Sequence, residues 1–425
     1  MRNPSDPYTF LSQLQSKGIR LGLEPLAEVL RKCGNPHLHY PTVLIAGTNG
    51  KGSVAAILAA FLQAGGYTVG LYTSPHLVDF RERIQVNGEM ISPCDLRWVL
   101  AEVRQKGGDE LTYFECATAM AFMHFARSSV DIAVLEAGMG GRLDATNLAR
   151  PACSIITNIS REHCDYLGRT LADIAGEKGG IIKDGGVCIT AARQPAVLAV
   201  IEAICHERRA RLYRMGRDIK VRRRKNGHIS YYGISMNIPS LPLPLPGGHQ
   251  RGNTGLALAA LEILAAGGIG VPLDAIAGGR MRVHWEGRFD MVRSVPPILL
   301  DGAHNPAAAA VLAGALREEL TYEKLVLIFS VLRDKNYRAI LKILAPLADR
   351  VIVTSISQER ALPPERIEPV ARRFANRVES ISDPIQALAR ARALAGPGDL
   401  ILVTGSLYLV GRMKEILSSE HASQR

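Results

Sequence analysis

The sequence of this 425-residue chain lacks the patterns of a membrane-spanning helix and of a secreted protein. No run approaches the roughly 18 uncharged apolar residues that a membrane-spanning helix needs. The first residues, MRNPSDPYTF, lack the apolar core of a signal peptide. The seven cysteines are odd in number and never form a C-x-x-C pair, which fits reduced thiols. We therefore expect a cytoplasmic protein with no membrane partner.

Internal repeats and low-complexity segments are also absent, and 47% hydrophobic with 21% charged residues is an ordinary globular composition. The length exceeds a usual single core, so two domains are expected. A formal net charge of +11 suits polyanionic partners, either nucleotides and acidic metabolites or nucleic acid. The densest basic run, residues 222–225, precedes an Asn226-Gly227 turn signal and indicates a solvated hairpin. The first class of partner is therefore favoured over nucleic acid.

The most informative stretch is TVLIAGTNGKGS, residues 42–53. A short apolar run enters a glycine turn, and an apolar helical pattern follows, which predicts a strand, a phosphate-binding loop and a helix. Glycines let several N–H groups point into one concavity, Lys51 adds a mobile cation, and Ser53 can offer a hydroxyl to Mg²⁺. The match to G-x-x-x-x-G-K-[ST] is imperfect, because the glycine spacing is short and the hydroxyl lies one position late.

Apolar runs and helical patterns alternate through the chain, which predicts an α/β fold. We expect a P-loop-containing, mostly parallel sheet domain with an N-terminal helical cap, followed by a smaller Rossmann-like α/β domain. The segment VRSVPP, residues 292–297, interrupts the pattern. The predicted domains are therefore 1–293 and 297–425.

Polar residues follow the predicted strands of the first domain, at the edge where doubly wound sheets bind ligands. Ser74, Glu136 and His163 lie at three such ends and, with Ser53, offer hydroxyl, carboxylate and imidazole groups for Mg²⁺ or Mn²⁺. Each also has a plain structural interpretation, as a turn residue, a buried capping group or a loop histidine. Asp301 and His304 follow a strand of the second domain by the same logic.

A series of motifs runs in one order along nearly the whole chain: GTNGKGS (47–53), YTSPHL (72–77), RERIQVNG (81–88), TYFE (112–115), LEAGMGGRLDATN (135–147), EHCDYLG (162–168), EKGGIIK (177–183), EGRFD (286–290), LDGAHNP (300–306), VLRDKN (331–336) and GSLYLVG (405–411). With these motifs the sequence resembles the Mur-ligase superfamily, and within it the folylpolyglutamate synthases with dihydrofolate synthase activity. SPHL, LDATN and DGAHNP at these positions are specific to the folate branch.

The resemblance implies an ATP-dependent amide ligase. ATP would phosphorylate a carboxylate of a pteroate or folate, and the amine of L-glutamate would displace the phosphate. Phosphorylation supplies the leaving group that a carboxylate lacks, and cations offset the charge on the transferred phosphoryl group. The implied partners are ATP, L-glutamate and dihydropteroate or a reduced folate, in a monomeric enzyme whose two domains close over ATP.

The resemblance also implies roles for particular residues. Catalysis would involve Lys51, His163, Lys178 and Arg288. ATP would contact Asn49, Gly50, Lys51, Gly52, Asn253, Arg288, Asp301 and His304. Two Mg²⁺ ions would be held by Ser53, Ser74, Glu136, His163 and Lys178, with Lys178 carboxylated by CO₂, because a carbamate is an anionic ligand where an ammonium would be repelled.

On the substrate side, folate would contact Leu21, Gly22, Leu23, Thr112, Tyr113, Phe114, Glu115, Leu143, Asp144 and Ala145. Asp144 could bond the amino edge of the pterin. Glutamate would contact His304, Ser406 and Tyr408. Arg20 stands where an acidic residue often precedes the LGL motif of the family.

Three other functions stay open at this point. A folylpolyglutamate synthase without the first activity uses the same chemistry, although TYFE and LDATN favour both activities. A Mur ligase of cell-wall synthesis is disfavoured, because only some forty residues precede the loop. A P-loop protein that binds nucleic acid is motivated by the net charge alone.

Overall fold

The computed structural model describes residues 6–18, 20, 22–225, 227–277, 283 and 285–423, which form two compact units. Unit 1 comprises Met1–Leu245 and Gln250–His284, and unit 2 comprises Pro246–His249 and Trp285–Arg425. The division at residue 285 lies before the predicted linker at 292–297. Strand Asp290–Val292 explains this difference, because it pairs with Ile298–Leu300 and so ties the residues before VRSVPP to the second sheet.

Unit 1 is built on an eight-stranded sheet. Its strands are β1 (Thr42–Ala46), β2 (Val69–Tyr72), β3 (Ile84–Val86), β4 (Glu89–Met90), β5 (Ile132–Glu136), β6 (Pro151–Ile156), β7 (Val187–Thr190) and β8 (Arg211–Arg214). The order is β4-β3-β2-β5-β1-β6-β7-β8, parallel except at β3 and β4. β1 and β5 are buried throughout because helices cover both faces.

The helices of unit 1 are α1 (Pro7–Gln15), α2 (Glu24–Lys32), α3 (Lys51–Ala64), α4 (Pro93–Gln105), α5 (Tyr113–Arg127), α6 (Cys164–Leu167), α7 (Leu171–Gly179), α8 (Pro195–Glu207), α9 (Gln250–Ala266) and α10 (Leu273–Ala277). α3 packs against α9, α4 against α5, and α7 against α8. The apolar pattern predicts a first helix around residues 10–17, but the helix begins at Pro7, because the Asp6 side chain caps it by accepting from the Thr9 N–H at 3.0 Å.

The basic run lies on a separate three-stranded antiparallel sheet. It contains β9 (Lys220–Arg223), β10 (Ile229–Tyr232) and β11 (Asn237–Leu241) in the order β11-β10-β9. Arg222 and Arg223 are exposed, which confirms the prediction of a solvated hairpin. Asn226 of the predicted turn lies outside the described residues.

Unit 2 has a six-stranded sheet in the order β12-β13-β17-β14-β15-β16, parallel except at β12. Its strands are β12 (Asp290–Val292), β13 (Ile298–Leu300), β14 (Leu325–Phe329), β15 (Arg350–Val353), β16 (Val378–Ser380) and β17 (Leu400–Thr404). Its helices are α11 (Pro306–Glu319), α12 (Tyr337–Leu344), α13 (Pro364–Ala371), α14 (Pro384–Leu394) and α15 (Leu407–Ser423). The prediction of two successive α/β sheets is confirmed. Among the described helices, none combines the length and apolar character that crossing a membrane requires.

Candidate active site

The loop between β1 and α3 has the geometry predicted for phosphate binding. Gly47 has φ 143° and Gly50 has φ 82°, in the region that favours glycine. A methyl group on Gly47 would overlap the Thr157 hydroxyl, so the backbone also needs glycine there for close packing. Gly50 is the N-cap of α3, and the loop therefore presents the positive end of that helix.

The segment after β6 braces this loop. The Asn158 side chain accepts from the Asn49 N–H and donates to the Asn49 carbonyl, both at 3.0 Å. Thr157 donates to the same carbonyl at 2.8 Å. On the neighbouring residue, the Thr48 hydroxyl accepts from the Ser160 N–H at 3.0 Å. These bonds fix the loop in shape before a ligand arrives.

Lys51, Ser74 and Glu136 meet at the carboxyl end of the sheet, as the strand-end pattern predicts. The Glu136 carboxylate is buried; it accepts from the Ser74 N–H at 3.0 Å and lies 3.9 Å from Lys51 Nζ. Lys51 Nζ also lies 3.4 Å from the Thr48 carbonyl. A mobile cation and a fixed carboxylate therefore stand together beside the phosphate loop.

Lys178 is buried, although lysines on helices are usually solvated. Its Nζ donates to the Gly47 carbonyl at 2.7 Å, which places it under the phosphate loop. Burial, and secondly the charge of Lys51, lower its pKa to about 7, against the opposing effects of Glu162 and Asp144. A substantial fraction of this amine is therefore uncharged near neutral pH.

Ser53 and Asn253 are linked through Gln250 at the start of α9. Gln250 lies at hydrogen-bond distance from the Ser53 hydroxyl, at 3.5 Å, and accepts from Asn253 at 2.7 Å. Asn253 also packs against Gly50, where a methyl group would lie 2.7 Å from its Oδ1. The predicted nucleotide residue Asn253 therefore reaches the phosphate loop directly.

His163 precedes α6 in a left-handed conformation with φ 51°, and its Nε2 lies 3.8 Å from Glu162. In the described part of the chain, no three His, Cys, Asp or Glu side chains stand close enough together to hold a metal ion by themselves. The donors near the loop are a hydroxyl, a carboxylate and, if carboxylated, Lys178. This set fits a divalent cation that shares its coordination with nucleotide phosphates.

The predicted folate residues 112–115 form the start of α5. Thr112 and Glu115 make a capping box, and Glu115 Oε2 also accepts from Arg20 at 2.8 Å. Glu115 Oε1 is buried and has no hydrogen-bond partner among the described residues. A buried carboxylate oxygen without a donor is suited to receive one from a ligand. Leu21 lies outside the described residues, whereas Gly22 and Leu23 lead into α2.

Aromatic rings surround this helix start. The Tyr113 ring lies under the Arg83 guanidinium at 5.3 Å, and the Phe114 ring lies 6.0 Å from that of Tyr72. Arg83 Nε donates to His76 Nδ1 at 2.8 Å, and burial together with Arg83 lowers the His76 pKa to about 4. A flat heteroaromatic ligand would find apolar faces here.

Asp144 and its neighbours Leu143 and Ala145 lie where the 3₁₀ turn Ala145–Leu148 begins, and this turn contacts α5. The Asp144 side chain accepts from the Thr146 N–H at 3.0 Å and the Met139 N–H at 2.9 Å. Burial raises its pKa, and these hydrogen bonds oppose the rise. Asp144 is therefore a structural cap, and its contact to a pterin stays a prediction.

In unit 2, Asp301 follows β13 and accepts from the Phe289 and Ala303 N–H groups, both at 2.9 Å. Arg288 lies 3.4 Å from the Gly302 carbonyl, and the His304 Nδ1 lies 2.8 Å from that same oxygen. The three predicted nucleotide residues of this unit thus surround one turn.

The predicted glutamate residues are close to this turn. The Gly405 N–H donates to the Ala303 carbonyl at 3.1 Å, so the loop after β17 lies against the loop that carries His304. Ser406 is buried, and its hydroxyl accepts from the Tyr408 N–H at 3.2 Å at the start of α15.

Some residues near these sites have at most a weak signal in the sequence. Thr157 and Asn158 brace the phosphate loop from more than 100 positions away, and only their place at the end of β6 could have suggested it. His249 lies in the proline-rich segment before α9, where nothing in the sequence marks it as a site residue. Its pKa is lowered by loss of hydration and by Arg288, while Asp301 and Glu319 oppose the change, so it belongs with the Asp301 turn.

Comparison with known proteins agrees with this arrangement. The Mur ligase middle domain matches residues 45–261, and the glutamate ligase domain of Mur ligases matches residues 287–407. The chain is 33% identical to the dihydrofolate synthase/folylpolyglutamate synthase of Bacillus subtilis, covering 94% of this chain and 96% of that protein.

Another relative is longer. The probable bifunctional folylpolyglutamate synthase/dihydropteroate synthase of Halobacterium salinarum is 36% identical over 95% of this chain, but the chain spans only 50% of that protein's length.

Solved structures are similar over almost the whole chain. Escherichia coli FolC in complex with DHPP and ADP has a TM-score of 0.91 and 31% identity, covering 98% of this chain and 99% of that one. Mycobacterium tuberculosis folylpolyglutamate synthase complexed with ADP has a TM-score of 0.89 and 34% identity, with 97% and 99% covered. The chain belongs to the Mur ligase family, within the group of the dihydrofolate synthase/folylpolyglutamate synthases.

Proposed function

We propose that this chain is an ATP-dependent ligase that joins L-glutamate to 7,8-dihydropteroate, forming dihydrofolate, and to reduced folates, forming polyglutamates. The observation that carries the proposal is the braced phosphate loop with Lys51, Glu136 and Lys178 around it. The Bacillus subtilis relative carries both activities in its name, dihydrofolate synthase and folylpolyglutamate synthase. All seven cysteines are free thiols, which supports action in the cytoplasm.

The loop would hold the phosphates of ATP through its N–H groups, with Lys51 following the γ-phosphoryl group. A substrate carboxylate oxygen attacks that phosphorus, the bond to the β-phosphate bridge breaks, and ADP leaves. The amine of glutamate then attacks the acyl phosphate, loses a proton and expels inorganic phosphate. Lys51 would offset part of the charge that develops in both steps.

Ser53, Ser74, Glu136, His163 and Lys178 would hold Mg²⁺, which when bound neutralises phosphate charge. The Lys178 amine, uncharged in part near neutral pH, would attack CO₂ to form an N–C bond and release one proton. The resulting carbamate turns a cation beside Lys51 into an anion. The nucleotide would contact Arg288, Asp301 and His304. Glutamate would contact Ser406 and Tyr408.

The deciding assay supplies ATP, Mg²⁺ and L-glutamate with either 7,8-dihydropteroate or a reduced folate. We expect glutamate-dependent release of ADP with both acceptors. Release with the reduced folate alone would leave a folylpolyglutamate synthase, and release with neither would refute the ligase. Lys51→Ala is the matched inactive control.

The acyl phosphate makes a separate prediction. If the acceptor carboxylate carries ¹⁸O, one labelled oxygen must leave with the phosphate, because the bond broken in the second step joins carbon to that oxygen. Mass spectrometry of the released phosphate measures it, and unlabelled phosphate would rule out this intermediate.

A further inference from the structure

Unit 2 has a basic cleft of about 440 Å³ between α12 and α13, which pack together. Three guanidiniums line it, those of Arg338, Arg366 and Arg373, against the single carboxylate of Glu365. No ion pair of these three arginines is found among the residues that the structure describes; the other nearby acid, Glu368, is paired with Arg372 at 2.7 Å. The cleft therefore carries an excess of two positive charges.

The cleft also has apolar surface. Tyr337, Pro369 and Val370 line it beside the arginines. A ligand that alternates carboxylates and methylene groups would match these two kinds of surface.

The cleft lies between two helices that follow strands of the sheet whose loops carry His304 and Ser406. α12 and α13 follow the carboxyl ends of β14 and β15, and the loops before the two helices are joined, since Arg333 Nε donates to the Ala361 carbonyl at 2.9 Å. The first turns of both helices therefore lie at the edge where β13 and β17 end.

We propose that this cleft binds the γ-glutamyl chain of the folate product. The inference rests on the proposed function. Each ligation consumes one carboxylate as an amide and brings two with the new glutamate, so the chain gains one negative charge per step. A growing polycarboxylate leaving the glutamate site meets three guanidiniums at the same edge.

The test is direct binding of penta-γ-L-glutamate, without pterin or ATP, to the full chain by isothermal titration calorimetry at low salt. In the variant Arg338→Gln/Arg366→Gln/Arg373→Gln we expect the Kd to rise by about tenfold or more, given three exposed charge contacts. The matched control Lys220→Gln/Arg222→Gln/Arg223→Gln removes the same charge from exposed β9 and should keep the wild-type Kd.

Three outcomes would overturn the proposal: no binding to wild type, an unchanged Kd in the cleft variant, or an equal loss in the β9 control. Circular dichroism confirms that both variants are folded. Failure of the proposed function would be seen in a different assay, as the absence of glutamate-dependent ADP release. Binding of pentaglutamate to the cleft would still be measurable in that case.

Discussion

Lys178 is a buried amine, and burial together with the nearby Lys51 ammonium lowers its pKa to about 7. If Lys178 has the proposed role, Lys178→Ala should lower ligase activity roughly 10- to 100-fold, as removal of a group that supports a metal site does. A small carboxylic acid should restore part of it by taking the place of the carbamate. Steady-state rates with and without added acid measure both effects.

Lys183 provides the control for this prediction. It is partly buried and donates to the Asn147 carbonyl and Oδ1 at 2.7 and 2.8 Å, away from the phosphate loop. Lys183→Ala should lose stability, with no activity restored by acid. Full activity in Lys178→Ala, or equal rescue of both variants, would contradict the role of Lys178.

His37 couples stability to pH. Burial, and secondly the charges of His39 and Arg150, lower its pKa to about 4, and its Nδ1 has no partner among the described residues. Between pH 6.5 and 4 the His37 imidazole is therefore protonated in the unfolded chain but mostly neutral in the folded chain. The contribution of His37 to the free energy of unfolding thus falls by up to about 1.4 kcal/mol per pH unit toward acid.

The variant His37→Phe should reduce this dependence. Urea unfolding at pH 7 and 5.5 should show a loss smaller by about 1 kcal/mol than in wild type. His206→Gln, exposed on α8, should keep the wild-type slope. An unchanged slope in His37→Phe would assign the acid sensitivity to other groups.

Residues of the site were predictable where a strand end reveals them. Ser74 and Glu136 meet as the strand-end logic expects, because parallel strands bring their carboxyl ends to one edge. Partners across more than 100 positions, such as Thr157 with Asn49, have no local signature. The burial of Lys178 was equally hidden, since its helix pattern fits a solvated position.

Among the elements, α7 carries Lys178 and depends on its first turn. The Thr170 hydroxyl accepts from the Asp173 N–H at 3.1 Å, and Asp173 Oδ2 accepts from the Thr170 N–H at 3.0 Å. Thr170→Ala should lower the free energy of unfolding by about 1 kcal/mol, whereas Thr170→Ser should retain most of it. Chemical unfolding of both variants measures these free energies. Equal losses in the two variants would show that the hydroxyl is not the stabilising group.

Hydrophobic periodicity predicted whether an element is a helix or a strand, but it predicted the ends of the elements less accurately. The buried runs at β5, β6 and β7 predicted parallel strands correctly, because continuous apolar runs are typical of a sheet covered on both faces. The start of α1 at Pro7 and the strand Asp290–Val292 were not predicted. The start of α1 depends on a side-chain cap. The strand is only three residues long and depends on pairing with a distant strand, so its sequence alone does not predict it.

At the scale of the whole molecule, the two tryptophans fall in different units. Trp98 lies on α4 of unit 1, under the Arg127 guanidinium at 4.1 Å, and Trp285 belongs to unit 2. Each unit has its own sheet, so we expect two unfolding transitions. Fluorescence of Trp98→Phe and Trp285→Phe in urea should give different midpoints; coincident midpoints, matched by circular dichroism, would indicate one cooperative unit.

The strand order of unit 2 has a consequence for synthesis of the chain. β17 is the last strand made, yet it pairs with both β13 and β14. Until residues 400–404 have left the ribosome, β13 and β14 each have an open edge where β17 belongs, and such edges recruit other chains. Unit 2 therefore completes its sheet only after β17 has been made, and until then its open edges can associate with other chains.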